Sequence, residues 1–239
     1  GLDVHPDRIK NYLVHSLKRL KLDYIDLYEP ARIDLSIPVE ETIGAIAELV
    51  KEGYVRHIGL TQIDAATLER ANAVHKIEYV EMDYSLFNRS IEEDIIPLAR
   101  KLDIGVVSSG TIAHGLLTGL WTKERLERGE LPTNMMSPLF SKENIGKNVE
   151  LVERLHKIAE EKNVSVSQLA HAWVLSKGDD IIPLIGASKL KHFEDSIMAG
   201  NISLSKEDIQ KIEAAIPEEE IAGTSFRKMQ FKDGFAVQG

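Results

Sequence analysis

Ile43 to Leu60, IGAIAELVKEGYVRHIGL, is the stretch whose reading decides the fold. Ile43, Ile46, Ala47 and Val50 recur at the spacing that gathers apolar side chains on one face of a helix. Gly53 stands where a helix favours a left-handed C-terminal residue, and Tyr54 to Leu60 follows as a short apolar run of strand length. The same order repeats outward in both directions. Upstream, Ile9, Tyr12, Leu13, Leu17 and Leu20 mark a helix and Tyr24 to Tyr28 (YIDLY) a strand. Downstream, Ala65 to His75 reads as helix and Tyr79 to Asp83 as strand, then Ile91 to Leu102 as helix and Ile104 to Ser108 as strand. Strands alternating with helix-length stretches are the pattern of βα units around a parallel sheet.

From Gly110 to Asn144 the rhythm breaks into Gly-, Pro- and Met-rich sequence, too long for an ordinary connection and of the length functional loops have. Helices are expected at Lys147 to Lys162 and at Ser167 to Ser176 with Ser165 in its cap region. A strand at Asp180 to Leu184, a helix opening near Ser188 and a final helix at Ser205 to Ala215 follow, with an exposed segment after Pro217. That makes five strands where a closed parallel barrel needs eight. The expected architecture is therefore an α/β, (β/α)8 TIM-type barrel, residues 1–239 forming one partial domain whose N-terminal strands precede the chain. The alternative is a five-stranded doubly wound sheet, which commonly carries a Gly-rich first turn that is missing here.

Composition narrows the function. With 239 residues and 43% hydrophobic content the chain can bury a sizeable core. A net charge of -9, with no basic block, argues against a nucleic-acid partner. There is no cysteine, and the eight histidines show no metal-ligand spacing, so no metal is expected. No apolar run reaches the roughly 20 residues of a membrane span. The opening residues do not read as a targeting signal, so the expected location is cytoplasmic.

In parallel α/β architectures ligands bind at the C-terminal ends of the strands. Those positions are Glu29 to Asp34, Thr61 and Gln62, Glu81 to Ser85, Ser109 to Gly115, and Gly186 to Ser196. The last, GASKLKHFEDS, sets a glycine, a serine and two lysines where a strand gives way to a helix. Free N–H groups, the helix dipole and cations would converge there on an anion such as phosphate. Ser188 as a helix cap followed by solvated lysines is the plainer reading of the same residues.

YIDLY followed by ARID (Ala31 to Asp34), IGLTQ (Ile58 to Gln62), EMDYSLFNR (Glu81 to Arg89), GTIAHGLLTG (Gly110 to Gly119), QLAHAWVLSKG (Gln168 to Gly178) and IIPLIGASKLKHFEDSI (Ile181 to Ile197) resemble the aldo/keto reductases in order and spacing. The resemblance implies a (β/α)8 barrel that binds NADP(H) without a Rossmann domain and reduces an aldehyde or ketone, a small-molecule carbonyl substrate. It also implies roles for particular residues. Gly186, Ser188, Lys189 and His192 would surround the adenosine 2'-phosphate, and Asp195 and Ser196 would contact adenine. Gly110, Thr111, Ile112, Ala113 and His114 would hold the pyrophosphate. Thr61, Gln62 and Glu81 would fix the nicotinamide carboxamide, with Ser109 at the place of the ring that stacks on it.

The likeness is incomplete at the chemical end. The family's catalytic tyrosine, with the lysine and aspartate that tune it, lies upstream of Tyr24. Its histidine position holds Ala31, which can neither orient nor polarise a carbonyl. Glu81 stands for the usual glutamine, Gln62 for the usual asparagine and Ser109 for the usual aromatic residue. The Ala31 to Asp34 run is similar to that of pyridoxal reductases, which implies pyridoxal as substrate. Arg32 is a candidate contact for a substrate oxygen or a partner for Asp34 or Glu29. The competing expectation is a slow or non-catalytic NADP(H)-binding sensor of the same fold, like the potassium-channel β subunits. Trp121 is read either as pocket lining or as a loop anchor, and His15, His75, His156 and His171 as structural. Oligomeric state is left open, since an unclosed sheet could also pair with a copy of itself.

Overall fold

In the computed structural model the described residues are 3–130, 137–225, 229–233 and 235–238. Helices and strands alternate from the start: α1 (Pro6–Leu20), β1 (Ile25–Tyr28), α2 (Val39–Lys51), β2 (Val55–Thr61), α3 (Ala65–Val74), β3 (Tyr79–Asp83), α4 (Ile95–Lys101) and β4 (Gly105–Ser109). After β4 come α5 (Lys123–Glu127), α6 (Ile145–Glu161), α7 (Val166–Leu175), β5 (Ile181–Pro183), α8 (Leu190–Ile197) and α9 (Lys206–Ala215). Strands β1 to β5 follow one another in chain order in one sheet, and the registers Tyr28 with Ile58 and Thr61 with Glu81 are parallel. This is the strand-helix alternation of the (β/α)8 TIM-type class.

The chain divides into two compact units, Gly1–Met82 with Glu92–Val106 and Lys228–Gly239, and Asp83–Ile91 with Val107–Arg227. In the first unit, Ile9 and Leu13 of α1, Ile43, Ile46 and Leu49 of α2, and Ile58 and Leu60 of β2 are buried together with Leu68, Val80 and Ile95. Gly53 takes φ +83 after α2, as its position predicts. In the second unit Tyr84 and Trp173 pack with ring centroids 5.3 Å apart, and Leu116, Val149, Leu155, Leu169 and Ile212 are buried. Trp173 satisfies its indole N–H on Glu213, which also pairs with Lys177.

Three stretches differ from the sequence expectation. The irregular run after β4 contains a 3-10 turn at Ala113–Thr118, the short helix α5 and a second 3-10 turn at Pro138–Phe140. Pro132, Met135 and Met136, part of that run, lie outside the described residues. Helix α8 opens at Leu190 with Lys189 as N-cap, so Ser188 does not cap it. The tail forms an antiparallel ribbon, β6 (Met229–Lys232) and β7 (Phe235–Gln238). The ribbon is joined to the loop after β1: Leu35 N donates to Phe231 O at 2.7 Å, and Asp233 N to the buried Asp34 at 3.1 Å. Among the described residues, large apolar side chains exposed on the strands include Leu27 of β1, Ile182 of β5, and Phe235 and Val237 of β7.

Candidate active site

The first unit carries the strand ends of β1, β2 and β3. Register sets Gly59 beside Tyr79 and, two residues on, Thr61 beside Glu81. Side chains two residues apart share a face of the sheet. A Cβ at Gly59 would meet the Tyr79 ring at 2.7 Å, so glycine is what lets that ring cross β2. Beyond it the Tyr79 hydroxyl donates to the Glu29 carboxyl. Burial pushes the Glu29 carboxyl above its usual range, against the pull of the Tyr79 hydrogen bond, while Glu81 raises it further and Arg32 lowers it. Burial, then the bond to Glu29, raises the Tyr79 phenol. Glu29 Oε2 is a buried acceptor with no hydrogen-bond partner among the described residues.

Around this pair stand the predicted nicotinamide residues. Thr61 is buried, and Gln62 takes φ +50, with its N–H donating to Glu81 O at 2.9 Å. A left-handed non-glycine residue at a strand end is uncommon and marks a constrained site. Ala31 is exposed, and Arg32 folds back so that Nη1 donates to Ala31 O at 2.6 Å. Asp34 is engaged by Ser36 and Asp233. Arg32 therefore touches its own loop, and its charge reaches Glu29.

In the second unit β4 runs into a loop whose backbone is left-handed at Gly110 (φ +65), Ala113 (+48), His114 (+55) and Gly115 (+101). Non-glycine residues in this region cost about 1–3 kcal/mol each and persist only where the surroundings hold them. Ala113 is fully buried, and Thr111 Oγ1 donates to Ser108 O at 3.2 Å. His114 Nε2 lies 3.1 Å from Ser225 Oγ and 3.7 Å from Asp83 Oδ1. Both contacts use the same ring nitrogen. A nucleophile relay needs the two nitrogens on different partners, so Asp83, His114 and Ser225 are not a hydrolytic triad. Sequence reasoning missed Asp83, Asn88 and Ser225 as the backing of this loop, and it missed the Glu29–Tyr79 pair. The available signals were Gly59 inside a strand and Asp83 within the EMDYS segment.

The start of α8 is the third element. Gly186, Ser188, Lys189, Lys191 and His192 are exposed, and no side chain caps the helix. The N–H groups of His192 and Phe193 turn back to Lys189 O, and the first turn contains no acid. The remaining N–H groups of such an end, with the dipole behind them, suit an anion. Asp195 faces inward in this unit, accepting from Ser165 Oγ at 3.1 Å and Gln168 Nε2 at 3.0 Å, which ties α8 to the capping box of α7. Ser196 Oγ donates to His192 O at 2.8 Å.

The helix histidines have structural settings. His171 is buried with Nδ1 unpartnered, and desolvation lowers its pKa. His156 faces Glu160 one turn on, and His75 contacts Lys76 O. Trp121 lies under the Arg125 guanidinium, 4.8 Å from its ring centre. Among the described residues no group of acids and histidines could hold a metal ion, and no helix is long and apolar enough to cross a membrane.

The aldo/keto reductase family model matches residues 2–217. The chain belongs to the aldo/keto reductase family. A probable aldo-keto reductase 1 of Glycine max is 38% identical over 221 residues, which are 91% of this chain and 62% of that protein. An aldo-keto reductase of Strobilurus tenacellus is 36% identical over 233 residues, 96% of this chain and 69% of that protein. Among solved structures, a glycerol dehydrogenase from Gluconobacter oxydans superposes with a TM-score of 0.81 at 28% identity, covering 90% of this chain and 66% of that one. A thermostable aldo-keto reductase in complex with epalrestat gives 0.69 at 25% identity, over 89% of this chain and 67% of that one. The chain thus spans 62% of the length of its soybean relative.

Proposed function

We propose that this chain forms the cofactor-binding part and one wall of the substrate pocket of an NADP(H)-dependent reductase that converts an aldehyde or ketone to the alcohol. The observation that carries the reading is the uncapped N-terminus of α8, with Gly186, Ser188, Lys189 and His192 exposed around it in a chain of this family. These residues fit a phosphate: donors and cations are present, and the first turn of α8 contains no acid. The Gly110–His114 loop is the proposed pyrophosphate site: its backbone is left-handed at Gly110, Ala113 and His114, and Ala113 N–H closes the turn on Gly110 O at 2.7 Å. Thr61, Gln62 and Glu81 offer a hydroxyl, an amide and a carboxylate to a carboxamide, and Ser109 is the residue we propose for the nicotinamide ring position. Asp195 and Ser196 remain the proposed adenine contacts, although Asp195 is already held by α7.

Bound NADPH would supply the hydride. This chain's residues would orient the cofactor, exclude water around the carbonyl and, through Arg32 or Glu29, hold the substrate's polar groups. No residue of this chain is assigned as the acid that protonates the new alkoxide, a role the family's tyrosine would fill, and Ala31 at the histidine position offers no side-chain proton. Pyridoxal is the specific substrate we propose, on the strength of the Ala31 to Asp34 run. We further propose that residues 1–239 form part of a single barrel-type domain, contributing five of its strands, in the cytoplasm.

Oxidation of NADPH by the full-length protein tests this reading, followed by absorbance with pyridoxal and with simple aldehydes in parallel. Saturable turnover with pyridoxal the better substrate supports it. Turnover of simple aldehydes without pyridoxal removes the substrate assignment, and tight NADPH binding with no turnover of any carbonyl favours the sensor reading, which Ala31 and Ser109 also support.

A further inference from the structure

A buried carboxylate lies directly beneath the proposed pyrophosphate loop, an unfavourable place for a negative charge unless the loop needs it. Asp83 is at the end of β3 with its side chain 6% exposed. Its Oδ2 accepts from Asn88 Nδ2 at 2.9 Å, and the same amide also donates to Asp83 O at 3.1 Å. Asn88 is itself fixed by reciprocal backbone bonds with Ser85, at 3.0 and 3.1 Å. The carboxyl group is therefore held by a rigid turn. Its other oxygen, Oδ1, has no hydrogen-bond partner among the described residues and sits 2.3 Å from where a Cβ on Gly110 would be. The same oxygen is 3.7 Å from His114 Nε2.

One atom thus meets both ends of the loop. At Gly110 it leaves room only for a residue without a side chain, and at His114 it faces the ring of a residue whose backbone is strained. Strained backbone lasts only where its neighbours fix it, and a buried acceptor left without a donor is itself costly. Both costs are accounted for if the carboxylate keeps the loop in the shape its ligand requires.

We propose that Asp83 is a positioning residue for the pyrophosphate-binding loop, setting the conformation of Gly110 to His114 from below without touching the cofactor. The inference rests on the proposed cofactor reading. It predicts that Asp83 matters for a ligand that spans the loop and not for one confined to the start of α8. NADPH is the first kind of ligand and adenosine 2'-monophosphate the second.

The test is equilibrium binding of both ligands to the wild-type chain, Asp83→Asn, His114→Ala and the double variant that combines them, with urea unfolding of each variant beside it. The expected result for Asp83→Asn is about tenfold weaker NADPH binding, with adenosine 2'-monophosphate binding unchanged. In the double variant the two losses should not add, because both substitutions release the same loop. If Asp83→Asn weakens both ligands in step with a loss of stability, or changes neither, the positioning role is overturned. Binding of neither ligand by the folded wild-type chain overturns the cofactor reading itself, and that outcome is visible before any variant is made.

Discussion

The strand-end face of the first unit and the loop face of the second present opposite chemistry. On one, Glu29, Glu81 and Tyr79 gather carboxyl and phenol groups around the place of the absent histidine, and burial drives Glu29 toward its neutral form. On the other stand glycine backbone, a helix end with no side-chain cap and exposed cations, the proposed surface for an anion, with the Asp83 carboxyl buried nearby. On the second unit's face the steric constraint falls on Gly110, where an added Cβ would lie 2.3 Å from Asp83 Oδ1. The first unit's face is built from side chains, and it holds Ala31 and Glu81, where the family resemblance implies histidine and glutamine.

The largest effect that would sharpen this contrast is expected at Gly110. Gly110→Ala drives a Cβ into Asp83 Oδ1 at a backbone of φ +65 and should destabilise the second unit by about 3 kcal/mol while abolishing NADPH binding. Urea unfolding and a cofactor titration check it, and an unchanged chain would show that the loop is not held as described. Next comes Gly59→Ala, which should cost about 1–3 kcal/mol by displacing the Tyr79 ring, with partial recovery in the Gly59→Ala, Tyr79→Leu pair. Lys189→Ala should weaken NADPH about tenfold and leave NADH nearly unaffected; equal losses for both would remove the phosphate role of α8.

The smallest effect separates the units by pH. His171 has its pKa lowered by burial, so the unfolded chain binds more protons below the ordinary value of 6.5, and stability should fall as pH drops through that window. Glu29 has its pKa raised, so its contribution is present below 4.5 and is lost as pH rises through its folded value. Chemical unfolding at several pH values should therefore show the acid-side slope flattened in His171→Leu and the slope just above pH 4.5 altered in Glu29→Gln.

Much of the fold was legible because strand and helix periods alternate and Gly53 punctuates them. Helix α5 was hidden by its length, since five residues show no period, and the β6–β7 ribbon by its short, mixed-polarity strands. At the site, the start of a helix after β5 was legible because glycine and serine at a strand end mark such a turn, although the helix opens at Leu190 with Lys189 as its N-cap. The Glu29–Tyr79 pair was not, because it depends on a parallel register and on a ring crossing a glycine on the strand between. Asp83 was quoted within a strand-end segment, but its role depends on a distance to Gly110 across 27 residues of chain, which local sequence does not encode.

The central claim is that this chain holds NADP(H) through the α8 phosphate site and the Gly110–His114 loop. Fluorescence titration of the purified chain with NADPH, and with NADH beside it, tests that most directly. Saturable binding with a strong preference for NADPH is the predicted result. Equal affinity for the two nucleotides, or no binding by a cooperatively folded sample, would contradict it.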